Sequence, residues 1–350
     1  MARRRLETWT IFLTVAVLSP GVRASRSATT SPVRPEAVAT AAEITAKAEQ
    51  AIEKGLIWLA GKQNEDGSYG SGSHYGKHVG ITGLACMAFM CDGHLPGRGK
   101  YGHVVKGGLQ FVLSRASESG LLAAETSHGP MYGHGFATLF LAEVYGTSPT
   151  PALREKLRRA IRLIVRTQND QGGWRYQPIK SDADISVTIC QVMALRAARN
   201  AGIAVPKSAI DDAVQYVRRS QNPDGGFRYM LSPGASGFGR SAAGVAALYY
   251  AGVYEDQAID RGLVYLKGFL PGKYTRRVPH YFYGHYYAVQ AMFLAGGEHW
   301  QTWWPAIREE LIERQSPDGS WRGEAGAEYG TAMALIILQV PKRLLPIFQR

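Results

Sequence analysis

Two carboxylates and a hydroxyl stand at alternate positions in Asp182-Ala183-Asp184-Ile185-Ser186. Two like charges close together disfavour the second ionisation, so one member of such a pair holds its proton more tightly. A carboxyl that keeps its proton near neutral pH is suited to general-acid chemistry. Asp182 and Asp184 are therefore a candidate acid pair. The same residues have a second reading: Asp, Asp and Ser are N-cap types, and the apolar run that follows opens at Val187. Further polar and aromatic residues stand just ahead of, or in the first turn of, other apolar runs, and they are the expected ligand-binding set: Tyr132, His134, Arg240, Tyr283, His285, Tyr287, Glu328 and Tyr329. Aromatic faces attract cations, and Tyr281, Phe282, Tyr283, Tyr286 and Tyr287 form one dense group, with Tyr229, Phe238 and Tyr329 at matching places elsewhere; core packing is the alternative. Asp184 or Asp182 facing Glu328 would make the two-carboxylate arrangement of glycoside hydrolysis. Two histidines, His134 and His285, are too few ligands for a zinc site. No metal and no cofactor is expected.

The elements that carry these residues repeat. Four segments share the pattern Gln-x-x-x-Gly-x-aromatic, running Gln63 to Tyr69, Gln168 to Trp174, Gln221 to Phe227 and Gln315 to Trp321. The middle interval, Gln168 to Gln221, is about half of each flanking interval. Each flanking interval therefore hides one degenerate hairpin, around Ser114–Gly120 and Phe269–Lys273, which makes six. Ahead of each turn lies an amphipathic helix with Arg or Lys on its wet side. Leu153, Leu157, Ala160, Ile161 and Ile164 show this spacing, and the other five run roughly over 42–62, 104–115, 207–220, 256–269 and 303–314. After each turn comes a run apolar on every side and rich in Ala and Gly: 81–90, 136–145, 187–198, 242–251, 286–295 and 331–340. A helix apolar all round is buried. Six outer and six inner helices alternating along the chain predict an all-α fold, an α/α toroid (α6/α6 barrel) of six helical hairpins.

These turns resemble the glutamine–tryptophan (QW) motifs of squalene-hopene and oxidosqualene cyclases and the repeats of protein prenyltransferase β subunits. The resemblance runs from Ala42 to Gln339 and implies that superfamily's toroid. The segment from Gly172-Gly173-Trp174 to Asp182-Ala183-Asp184-Ile185-Ser186 also resembles the acid segment of squalene-hopene cyclases. There the middle aspartate of D-x-D-D-[TS] protonates an alkene or epoxide. The resemblance places Asp184 at that middle position and Asp182 at the first, while Ile185 replaces the last aspartate. It implies an isoprenoid or other lipid-like ligand and, for an enzyme, a cyclase or mutase of the isomerase or lyase class. Tyr283-Gly284-His285-Tyr286-Tyr287 resembles the histidine segment of the prenyltransferases, but their D-x-C zinc pair is missing. The alternatives are a non-enzymatic extracytoplasmic binding protein for peptide, glycan or lipid, and a glycan-active barrel. The thioester segment Cys-Gly-Glu-Gln of other toroids is absent.

The 350 residues, 45% hydrophobic and 19% charged, suffice for a large buried core. Arg3, Arg4 and Arg5, the apolar run Thr10–Leu18 and Val22-Arg23-Ala24 read as a signal peptide over 1–24. The expected location is exported, periplasmic or extracellular. Residues 25–41, rich in Ser, Thr, Ala and Pro, read as a disordered linker, and 42–350 as the toroid domain. The net charge is +12, but no Lys/Arg run interleaves with aromatics, so nucleic acid is not an expected partner. A peripheral membrane contact and a second protein completing the site are the partners considered. Cys86, Cys91 and Cys190 form no disulfide framework; Cys86 and Cys190 fall in apolar runs and read as buried thiols.

Overall fold

The computed structural model describes residues 44–71, 75–124, 129–273 and 278–349. The signal-peptide and linker assignments, 1–24 and 25–41, lie outside them. The described residues contain twelve α-helices: α1 (Ala46–Ala60), α2 (Val79–Met90), α3 (Gly102–Ser114), α4 (Met131–Thr147), α5 (Pro151–Thr167), α6 (Ile185–Asn200), α7 (Lys207–Arg219), α8 (Phe238–Tyr250), α9 (Gln257–Lys267), α10 (Tyr281–Ala295), α11 (Gly297–Glu313) and α12 (Ala327–Gln339). The even-numbered helices pack each on the next, and α12 packs back on α2, which closes the inner ring. Outer helices cover the seams: α5 lies on α4 and α6, α7 on α6 and α8, and α1 on α12 and α2. This is the all-α toroid of six hairpins.

The sequence dictates which helix is which. Helix α5 starts where Thr150 accepts the Leu153 N–H and Pro151 fills the first turn. Its Leu153, Leu157, Ala160, Ile161 and Ile164 are buried, while Arg158, Arg159 and Arg162 lie outside around Glu155. Helix α2 is buried at every residue. The inner helices begin earlier than the apolar runs, at Val79, Met131, Ile185, Phe238, Tyr281 and Ala327. Polar and glycine residues that interrupt the hydrophobic pattern still satisfy the helical backbone. The last outer helix starts at Gly297 rather than Trp303 and carries Pro305 inside, with Trp300 stacked on Trp304 at 5.2 Å in the turn before the proline.

The turns tie neighbouring hairpins together by one repeated set of bonds. Gln168 Nε2 donates to the Gly172 carbonyl in its own turn and to the Ala209 carbonyl of the next outer helix, both at 2.9 Å. Gln63, Gln221 and Gln315 do the same to Gly67 and Val104, Gly225 and Ala258, and Gly319 and Ala51. The last of these joins the sixth hairpin to the first. Gly172 has φ +92°, and a Cβ there would overlap the Asp212 carbonyl. Each motif aromatic gives its backbone N–H to a hydroxyl on the following inner helix: Tyr69 to Thr82, Trp174 to Thr188, Phe227 to Ser241 and Trp321 to Thr331.

The tail closes the opposite end. Leu345, Ile347 and Phe348 are buried, with 346–348 against α6 and α4. The Ile347 N–H points at the buried Glu143 carboxyl, 3.4 Å away. All three cysteines are buried and free.

Candidate active site at the barrel mouth

Asp184 is the N-cap of α6, so the capping reading of this residue holds. Its Oδ1 accepts the Ser186 and Val187 N–H groups at 2.8 and 2.9 Å. The second oxygen is left for other work. Oδ2 accepts the Tyr229 hydroxyl at 3.2 Å and lies 3.8 Å from Arg175 Nε. The carboxyl is 0% exposed. Burial pushes it up to about 6, against the opposing pull of the Val187 N–H, the Tyr229 hydroxyl, the Ser186 N–H and the Arg175 charge. Asp182 differs. Its side chain is 45% exposed and ion-paired with Arg175. Desolvation raises it, but hydrogen bonds from Arg175 and Ser181 and the Arg175 charge together hold it below the usual carboxylate range. Environment therefore pushes the two carboxyls apart, Asp184 up and Asp182 down.

A shell of phenols surrounds Asp184. The Tyr229 hydroxyl also meets the Tyr176 hydroxyl. Tyr176 and Tyr229 each stand two residues after a motif aromatic, Trp174 and Phe227, so the repeat brings equivalent positions of adjacent turns together. The Arg175 guanidinium lies over both rings, 5.1 and 5.8 Å from their centroids. Tyr132 on α4 lies 6.0 Å from Tyr176, ring to ring. From α10, Tyr283 donates to the Ser186 carbonyl at 3.0 Å, and Tyr287 lies 3.3 Å from Cys190 Sγ. Burial pushes the Cys190 thiol up to about 12, so it stays a neutral, unreactive thiol at physiological pH.

The structure thus gathers Asp184, Asp182, Tyr132, Tyr229, Tyr283 and Tyr287, and adds Arg175, Tyr176 and Cys190. The remaining candidates go elsewhere. His134 Nδ1 accepts the Leu122 N–H at 3.1 Å, doing for the second hairpin what Thr82, Thr188, Ser241 and Thr331 do for others. His285 lies among Phe238, Tyr281 and Trp303, with ring centroids at 4.8, 4.4 and 5.9 Å. Burial lowers His134 to about 4 and His285 to about 3, so both are neutral near pH 7. Arg240 folds back on its own loop, donating to the Ala235 carbonyl. Glu328 accepts the Ser71 hydroxyl at 3.1 Å, and Tyr329 points its hydroxyl at Glu324, 3.5 Å away. Among the described residues no three His, Cys, Asp or Glu gather to hold a metal.

A family model described as the prenyltransferase alpha-alpha toroid domain matches residues 39–267. The chain belongs to this toroid family. Within the terpenoid cyclase and prenyltransferase superfamily, the toroid aligns with the type II terpene cyclase MstE from Scytonema. Against the complex of a variant of that enzyme with its substrate, geranylgeranyl dihydroxybenzoate, it shows 14% identity and a TM-score of 0.59 over 85% of this chain and 98% of the other. A complex of that cyclase with its product, merosterolic acid A, gives 16% and 0.61 over the same shares. The toroid also aligns with an inactive variant of the alpha-1,6-mannanase GH76A of Salegentibacter sp. HEL1_6 in complex with mannotriose, at 8% identity and a TM-score of 0.65, over 85% and 99%. At these identities the likeness is one of fold. No curated protein matches the toroid chain in sequence.

Proposed function

We propose that the toroid is an acid-initiated cyclase-like enzyme, exported from the cytoplasm, acting on an isoprenoid or similar apolar chain, with Asp184 as the proton donor. One observation carries this reading. A fully buried carboxyl keeps one oxygen tied to two backbone N–H groups and offers the other beside a shell of tyrosines. In the first step the Oδ2–H bond breaks as a C–H bond forms at one alkene carbon, and the other carbon becomes cationic. The carboxylate left behind is held by the Ser186 and Val187 N–H groups, the Tyr229 hydroxyl and the Arg175 charge. The tyrosine faces around it favour the cation. Loss of a proton from the rearranged cation balances the reaction. The MstE complexes support the ligand class, because that toroid holds a geranylgeranyl substrate.

The test is isotopic. Wild-type protein is incubated in heavy water with squalene, oxidosqualene and geranylgeranyl dihydroxybenzoate, and products are read by mass spectrometry. Alkene protonation places one deuterium on carbon in the cyclised product. Recovery of all three unchanged contradicts the reading.

The opposite pKa shifts of Asp184 and Asp182, one up to about 6 and one below the usual carboxylate range, favour a second reading, glycoside hydrolysis, which uses one carboxyl as acid and one as carboxylate. Release of mannose from alpha-1,6-mannotriose would select it.

A further inference from the structure

Arg175 stands between the two aspartates. Its Nη1 donates to Asp182, its guanidinium lies over the Tyr176 and Tyr229 rings, and its Nε is 3.8 Å from Asp184 Oδ2. That gap is too long for a hydrogen bond, and among the described residues the buried Nε–H has no partner. An unpaired buried donor is costly, yet this one stops short of a buried carboxyl oxygen. The chain is fixed around it. The Asp184 N–H donates to the Trp174 carbonyl at 3.0 Å, and Ser181 Oγ donates to Asp182 Oδ1 at 3.0 Å. The next hairpin shows where such an arginine goes without acids. Arg228 follows Phe227 as Arg175 follows Trp174, but Ala235 and Gly237 stand where Asp182 and Asp184 do. Arg228 turns to the Arg219 carbonyl at the end of α7 instead. The two aspartates therefore set the direction of Arg175.

We propose that Asp182 is a positioning residue: its bond to Arg175 holds the unpaired Nε–H short of Asp184, and the arginine closes on Oδ2 only as the acid gives up its proton. While Oδ2 is protonated, the negative charge beside the guanidinium is on Asp182. Proton transfer puts a second negative charge on Oδ2, in a buried site where charges attract strongly. The Nε–H then moves in, and its new charge-assisted bond stabilises the carboxylate. Nη1 keeps Asp182, so neither anion is left unpaired. The other titratable groups that face Asp184 are Tyr132 on α4, Cys190 on α6, Tyr216 on α7, Tyr283 on α10 and Tyr229. Burial pushes all five up, so they stay neutral while Asp184 titrates. This inference rests on the reading of Asp184 as the acid.

Infrared titration of the full chain reads the Asp184 carboxyl without substrate, its band assigned by loss in Asp184→Asn. Wild type should titrate at about pH 6. Asp182→Asn frees Arg175 to pair with Asp184, and the midpoint should fall to about pH 5. Arg175→Gln should raise it above that of wild type. The double variant separates a movable arginine from plain repulsion between carboxylates. With the arginine gone, Asp182→Asn should move the midpoint by less than about half of its effect in wild type. Circular dichroism checks folding, and Arg175→Met replaces the glutamine variant if that does not fold. An unchanged or higher midpoint in Asp182→Asn overturns the proposal. So does a fall that keeps half or more of its size without the arginine, which would make Asp182 a fixed charge. Turnover is not read here, so the expected midpoints in an inactive protein would sink the acid reading and leave the positioning role standing.

Discussion

Tyr229 donates its hydroxyl to Asp184 Oδ2 at 3.2 Å, and so one turn of the repeat supplies the partner for the acid carried by the preceding hairpin. The bond stabilises the carboxylate. Its removal in Tyr229→Phe should raise the Asp184 pKa above about 6, moving the alkaline limb of the pH–rate profile to higher pH. The maximal rate should fall, because the anion formed during proton transfer loses a donor. A pH profile of kcat/KM for both proteins checks the pair of effects.

Asp184 both caps a helix and holds a proton, and stability measurements separate the two. Its pKa is raised from 3.8 in the unfolded chain to about 6 in the fold. The stability it contributes through protonation is therefore full below about pH 3.8 and lost as pH rises through about 6. Asp184→Asn keeps a capping oxygen and removes the titration, so it should become more stable relative to wild type above pH 6. Asp184→Ala loses the cap as well and should cost about 1 kcal/mol or more. Urea denaturation at pH 4 and pH 7.5 reads both.

The fold was legible because one turn recurs, whereas the site was only partly so. The glutamine, glycine and aromatic of the motif each have a repeated bond or backbone conformation, so spacing alone counted the hairpins. His134 illustrates the limit. It precedes an apolar run as a mouth ligand would, but the degenerate second turn uses it to receive Leu122 N–H. Only knowledge that Thr82, Thr188, Ser241 and Thr331 serve this role would have shown that His134 is engaged. Tyr176 and Arg175 were missed because nothing in their types marks them. Their signal is register, the first and second residues after a motif aromatic. Arg240 was misjudged by position, since side-chain direction on a first helical turn does not follow from spacing.

The glutamine brackets should be worth measurable stability. Gln168→Ala deletes two hydrogen bonds and leaves the buried Gly172 and Ala209 carbonyls without that donor. A cost of about 2–3 kcal/mol is expected. Gly172→Ala should cost at least as much, because its φ of +92° suits few side chains and the Asp212 carbonyl fills the space. Chemical denaturation of each variant gives the values.

Glu143 seals the far end with a buried carboxyl facing Ile347 N–H. Burial raises it from 4.5 to about 8, so its protonated form stabilises the fold fully below about pH 4.5, and this is lost as pH rises through about 8. Glu143→Gln keeps an acceptor for Ile347 and carries no charge. Its melting temperature should exceed that of wild type at pH 9 and fall less between pH 6 and pH 9.

The most direct measurement is product formation by wild type and Asp184→Asn from squalene, oxidosqualene and geranylgeranyl dihydroxybenzoate, with both proteins shown to be folded. The acid assignment predicts cyclised product from at least one substrate with wild type and at least a thousandfold less, about 4 kcal/mol of barrier, with the asparagine variant. Equal turnover by the two proteins would contradict it.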